Sequence, residues 1–156
     1  MYIVIVALTM VLLPIVSIGA DAALHPAVPM MLLVGKWFVF WGVGVRLVLA
    51  GLRQFFQPAF TAREIFKMQS DEALILVREL GVANFGTGLV GLLSLMAPSF
   101  VLPVAISAGI FYGVAGIRHL LHRGRSGNET IAMVSDIGIS LVLAAFVASA
   151  TLRIGG

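Results

Sequence analysis

Residues 80–117 read LGVANFGTGLVGLLSLMAPSFVLPVAISAGIFYGVAGI, 38 consecutive positions without a charged side chain. As one straight helix, at ~1.5 Å per residue, the stretch would be ~57 Å long, against a hydrocarbon core of ~30 Å. It must therefore turn. Pro98-Ser99 and Pro103 stand near its middle, and proline breaks a helix interior or opens a new one. The reading is two membrane-spanning helices, at about 71–97 and 100–122, joined by a tight hairpin.

The same logic divides the rest of the chain. Charged residues are 11% of the 156, 60% are hydrophobic, and mean hydropathy is +1.09. An ordinary soluble domain has about 25% charged residues. A soluble globular domain, a disordered chain and a nucleic-acid-binding protein are excluded. The net charge of +3 is a topology signal, because the basic residues sit at the ends of apolar runs. No cysteine is present, so disulfides, thiolate metal sites and cysteine nucleophiles are excluded.

Further spans are expected at about 2–18, with Pro14 as a kink, at 30–52 and at 128–152. The first run could pass for a signal peptide, with Ala20-Asp21-Ala22 as a cleavage site. It lacks a positive n-region and is read as a retained span. Trp37, Phe38, Phe40 and Trp41 fit an interfacial aromatic belt. Residues 54–69 alternate phenylalanines with Arg63, Glu64 and Lys67, and Thr61-x-x-Glu64 fits a capping box. They read as a short amphipathic helix lying on the membrane surface. Ser126-x-x-Glu129 is a second capping box, opening the last span.

The expected architecture is an all-α integral membrane bundle forming one domain: a four-helix core, an N-terminal transmembrane helix and an interfacial helix. Eight of the ten basic residues lie toward one side, leaving Lys36 and Arg153 on the other. The positive-inside rule makes the basic side cytoplasmic, with the N-terminus inside and the C-terminus outside. A bacterial-type inner membrane is the expected location.

Helix association in lipid relies on small residues. Gly81, Asn84, Gly88 and Gly91 mark one face of the third span. Ala105, Gly109 and Gly113 mark the fourth, and Ser140, Ala144 and Ala148 the fifth. These faces are expected to meet, although they also match ordinary membrane-helix composition.

Charges inside spans are costly, at ~2.5–3.5 kcal/mol each on insertion scales. Counting inward from the span ends puts Arg46, Glu79 and Asp136 at similar depth on three helices. A buried polar cluster is expected from Arg46, Arg78, Glu79, Asn84, His119 and Asp136. It reads as an ion-pair network that fixes helix register, as a proton or ion relay through Glu79, His119 and Asp136, or as the polar edge of a quinone or lipid site. A metal site would call for Glu-x-x-His pairs, which are absent. His119 and His122 share one helix face and cannot clamp a haem. No serine has a base partner in view, so no nucleophilic triad is visible.

The run Arg78-Glu79-Leu80-Gly81-Val82-Ala83-Asn84, followed by Gly86 and Gly91, resembles the Glu-x-Gly-x-Ala-Asn core of a family of small bacterial membrane proteins of unknown function. Gly113-Val114-Ala115-Gly116-Ile117-Arg118-His119 is similar to that family's glycine-rich, histidine-containing helix end. In the family the histidine follows a glycine, whereas Arg118 intervenes here. More loosely, the four-span core looks like the DoxX-like group. The resemblance covers roughly residues 37–122. It implies a helical bundle with Glu79, Asn84 and His119 in a shared site, and no assigned reaction.

The function expected first is an accessory or structural membrane subunit packing against partner helices or a second copy of itself. The alternatives are a small transporter or ion-conducting protein, and a quinone- or lipid-binding redox component. Membrane lipids are the expected surroundings, with a lipid or quinone as the possible bound molecule.

Overall fold

The structure, a computed structural model, describes residues 2–124 and 126–154, without the side chains of Tyr2, Arg153 and Ile154. Arg125 and the Arg153 side chain, both counted as topology signals above, lie outside the described residues. Five helices are long and apolar enough to cross a membrane: α1 Ile3–Leu24, α2 Met30–Phe56, α3 Glu72–Leu93, α4 Pro98–Leu121 and α5 Gly127–Leu152. Among the described residues no strand occurs. The fold is an all-α helical bundle.

The 80–117 run turns where its prolines stand. Helix α3 ends at Leu93, and Ser94, Met96 and Ala97 close it by bonding back to carbonyls of the last turn. Pro98–Phe100 then forms a tight turn that opens α4. Proline supplies the fixed φ of a first helical turn, where its missing N–H costs nothing.

The central helix is α2. Its inner face buries Leu33, Val39, Val43 and Leu47. Val6 and Met10 of α1 join Val39, Val43 and Leu47 in the core, as do Ile139, Leu143 and Phe146 of α5. Between Phe38 and Val45 the helix widens to π geometry, which loosens the regular carbonyl ladder. The Tyr112 hydroxyl of α4 donates to the Gly42 carbonyl in this segment, at 2.8 Å.

Helices α2 and α3 touch backbone to backbone. A Cβ added to Gly51 would lie 2.6 Å from the Gly81 carbonyl oxygen. One added to Gly88 would lie 2.6 Å from the Val48 nitrogen and 2.9 Å from the Gly44 oxygen. The glycine face of α3 is thus answered by glycines of α2, not by the fourth and fifth spans as expected from their small residues. Those two spans pair with each other. The Ser140 hydroxyl donates to the Gly109 carbonyl at 2.9 Å. Gly113 faces Ser140, and buried Ala105 belongs to the same core. Ala144 takes no part. Helix α5 turns Ile139, Leu143 and Phe146 inward, which leaves Ala144 exposed on another face.

Residues 54–69 are not one helix. Helix α2 runs on to Phe56, the chain breaks at Gln57, and helical geometry resumes over residues 58–65, with Phe60–Ile65 in the wider π form. Thr61, Ala62 and Ile65 are buried, the last two by apolar packing. Ala62 packs with Ala73 and Val77 of α3. One face of this short helix is thus packed against the bundle. Thr61 lies inside this segment, whose N-cap is Ala59.

At the opposite end, Asp21 ties α1 to α2. Its buried carboxylate accepts from Lys36 Nζ at 2.7 Å, Trp37 Nε1 at 2.8 Å and His25 Nδ1 at 2.8 Å. The Trp41 indole donates to Ser17 at 3.0 Å. Two of the aromatics assigned to an interfacial belt thus spend their N–H groups on holding this hairpin. Asp21→Leu removes the acceptor of three donors at once. The expected result is a lower midpoint of thermal aggregation in detergent, with faster hydrogen exchange confined to α1 and the 25–29 connection. Unchanged exchange there would show that the knot does not hold the hairpin.

Candidate functional site

A cavity of about 420 Å³ opens between α2, α3, α4 and α5, with Ile5 of α1 also lining it, at the end of the bundle that carries most of the arginines. Its geometry follows from helical spacing. Arg46, Ala50 and Arg53 recur at four and three residues on α2, and so share one face. Tyr112, Ala115 and His119 do the same on α4, and Ala132 and Asp136 on α5. Asn84 enters from α3. The Phe60–Ile65 turn closes one end with Phe60, Thr61 and Ile65.

The polar groups reach the cavity from α2, α3, α4 and α5. Asp136 is 9% exposed, and Arg46 supplies the opposite charge beside it. Asn84 Nδ2 donates to Gln54 Oε1 at 2.8 Å. His119 is 5% exposed, and its Nδ1 stands 3.4 Å from Glu129 Oε1. The same carboxylate oxygen accepts from His122 Nδ1 at 2.6 Å. Leu47, Leu49, Ile110 and Val114 supply apolar lining. Leu49, Ile110 and Val114 are also exposed, so this apolar lining continues into the surface of the bundle.

Four of the six residues expected to cluster, Arg46, Asn84, His119 and Asp136, line this one cavity. Arg78 and Glu79 do not. Both are exposed on α3, because α3 buries Ala73, Val77, Gly81, Asn84, Gly88 and Gly91 against its neighbours, and positions 78 and 79 point away from that stripe. The relay through Glu79, His119 and Asp136 is not assembled, and neither is the shared site of Glu79, Asn84 and His119 that the resemblance implied.

Glu129 is the acid that the clustering argument left out. Its capping-box pattern hid it. The box is only half formed: the Glu129 N–H donates to the Ser126 hydroxyl at 3.3 Å, while the carboxylate turns to the histidines. The signal was available, since a loop of a few residues brings His119 and His122 back against the first turn of the next helix. Arg53 and Arg118 also line the cavity, although arginines near span ends carry little information by themselves. Among the described residues no group of three or more His, Asp and Glu side chains is arranged to hold a metal ion.

Acid, amide, imidazole and guanidinium groups beside apolar lining can hold the polar end of an amphipathic molecule. No curated protein and no solved structure matches the chain. The model of a family of unknown function, DUF6790, matches residues 1–153, nearly the full length, and the chain belongs to that family.

Proposed function

We propose that this membrane protein binds one amphipathic molecule, a lipid or a quinone, with its polar end against Arg46, Asn84, His119 and Asp136. The apolar part lies along Leu47, Ile110 and Val114 and leaves toward the surrounding lipid. The observation that supports this reading is a cavity lined by these four polar side chains, whose apolar lining residues Leu49, Ile110 and Val114 are also exposed on the bundle surface. Ligand sites in helical bundles are built in this way, from inward side chains on facing helices.

Ala115 lines the cavity from α4 and is only half buried. Ala115→Trp fills the space with an indole while leaving the glycine contacts untouched. Protein purified in mild detergent is expected to yield a stoichiometric lipid or quinone in an organic extract analysed by mass spectrometry. Ala115→Trp is expected to reduce that yield by about tenfold or more, the loss of ~1.4 kcal/mol or more of binding. Equal extracts from the two proteins would refute the reading.

A second reading rests on Arg78 and Glu79. Charged side chains on the outside of a spanning helix are costly against hydrocarbon, and both are exposed on α3. A partner helix, from another subunit or a second copy, would satisfy them. The accessory-subunit reading therefore belongs to the outer face of α3. Glu79→Leu is expected to release any co-purifying membrane protein while the cavity ligand stays bound.

A further inference from the structure

We propose that the occupant of the cavity is an anionic lipid, its head group gripped by Arg53 and Arg118. This inference rests on the amphiphile-binding reading and adds the chemical class of the ligand.

The charges around the cavity do not balance. Three guanidinium groups line it, from Arg46, Arg53 and Arg118, against one carboxylate from Asp136. Arg46 is the charge beside Asp136, so the excess positive charge belongs to the other two. Each of these is backed by a phenyl ring. The Arg53 guanidinium carbon lies 3.6 Å from the centroid of Phe60, and that of Arg118 lies 4.8 Å from the centroid of Phe66. Phe60 opens the short turn between α2 and α3 and Phe66 follows it directly, so one connection supports an arginine from α2 and another from α4.

A guanidinium held against a ring presents its planar set of N–H groups from a fixed position. That arrangement pre-orients a planar fork for two oxygens of a phosphate or carboxylate. Holding a long side chain in one place also lowers the entropy lost when the anion arrives. The oxyanion could in principle belong to a lipid head group or to free phosphate. The apolar walls that run out to the lipid-facing surface favour the tailed molecule.

The test uses the full chain, delipidated in a neutral detergent, with four probes: phosphatidylglycerol, phosphatidylcholine of the same acyl chains, diacylglycerol and inorganic phosphate. Native mass spectrometry is expected to find one phosphatidylglycerol per chain, bound about tenfold or more tighter than phosphatidylcholine. Arg53→Gln and Arg118→Gln each reduce that preference by about tenfold. Arg53→Lys keeps the charge, loses the fork and falls between. Arg123→Gln removes a charge at the same end outside the cavity and leaves the preference unchanged. All variants are first checked for monodispersity.

Equal binding of phosphatidylglycerol and phosphatidylcholine, or of diacylglycerol, overturns the head-group assignment and leaves amphiphile binding standing. An equal loss in Arg123→Gln overturns it too, because ordinary surface attraction would then explain the preference. Displacement of phosphatidylglycerol by millimolar phosphate marks a free-anion site and also overturns it. If no lipid probe binds at all, the parent reading fails with it.

Discussion

Gly88→Leu is expected to prevent this protein from surviving detergent extraction as a monodisperse species, whereas Gly86→Leu, two residues away, is expected to be silent. At Gly88 a Cβ would lie 2.6 Å from the Val48 nitrogen, 2.9 Å from the Gly44 oxygen and 3.0 Å from the Leu47 carbonyl carbon. All three are backbone atoms of the facing helix, so no rotamer change can clear them. The only relief is to move α2 and α3 apart. That movement also opens the contacts of Gly51 with Gly81 and of Gly44 with Gly91, because the glycines form one seam. Overpacking a fitted core costs ~1–3 kcal/mol and occasionally more, and a clash with backbone across a shared seam belongs at or above the top of that range. Lipid offers no hydrophobic drive to reassemble the pair. Gly86 has nothing within 4 Å of an added Cβ and points outward, where leucine suits lipid. Size-exclusion profiles after a heating series would compare the two variants. Similar survival for both would mean that the seam does not set the bundle's stability.

The spans could be read from sequence because the bilayer imposes a length. A charge-free run of 38 residues has only one way to fit, and Pro98 and Pro103 mark where it folds back. The pairing of the spans was harder to read. Gly81, Gly88 and Gly91 announced a close contact but did not say with which helix, since Gly44 and Gly51 carry no more distinctive a signal than Gly109 and Gly113. Proximity is a tertiary fact, and small residues are needed on both sides of every tight crossing. Residues 54–69 show a related ambiguity. An amphipathic pattern reports that one face is covered, and for Ala62 the cover is Ala73 and Val77 of α3.

The site was partly legible through depth. Arg46 and Asp136 were singled out by counting inward from the span ends, and they do line the same cavity. Depth alone gives no azimuth, however. Glu79 sits at a similar level but on the outer face of α3, and only the packing stripe from Ala73 to Gly91 decides that. Glu129 shows the converse failure. A local motif, Ser126-x-x-Glu129, explained it so readily that its reach toward the previous helix went unconsidered. Its carboxylate had a choice between its own backbone and two imidazoles across a short loop, and the imidazoles won.

Glu129→Leu is therefore expected to be the most damaging substitution of a single polar side chain at this end. The carboxylate is 2% exposed, with His122 Nδ1 at 2.6 Å and His119 Nδ1 at 3.4 Å from Oε1. Its Oε2 is buried with no hydrogen-bond partner among the described residues, so the site keeps the carboxylate for what Oε1 does. Leucine leaves two imidazole donors without their acceptor, and a hydrogen bond to a charged group contributes ~1.5–3 kcal/mol. It also removes a negative charge from the first turn of α5, where the helix dipole favours one by ~0.3–1 kcal/mol. The expected loss is about 2–4 kcal/mol. Glu129→Gln keeps an oxygen acceptor and loses less than half as much. The consequence reaches the cavity, because His119 is one of its walls and is positioned by this contact. Glu129→Leu should therefore weaken retention of the proposed amphiphile as well as thermal stability. A His122→Ala, Glu129→Leu double variant separates the contributions: its loss should be clearly less than the sum of the single losses, since the two side chains share one bond. Strict additivity, or equal stability of the Leu and Gln variants, would show that Glu129 merely caps α5.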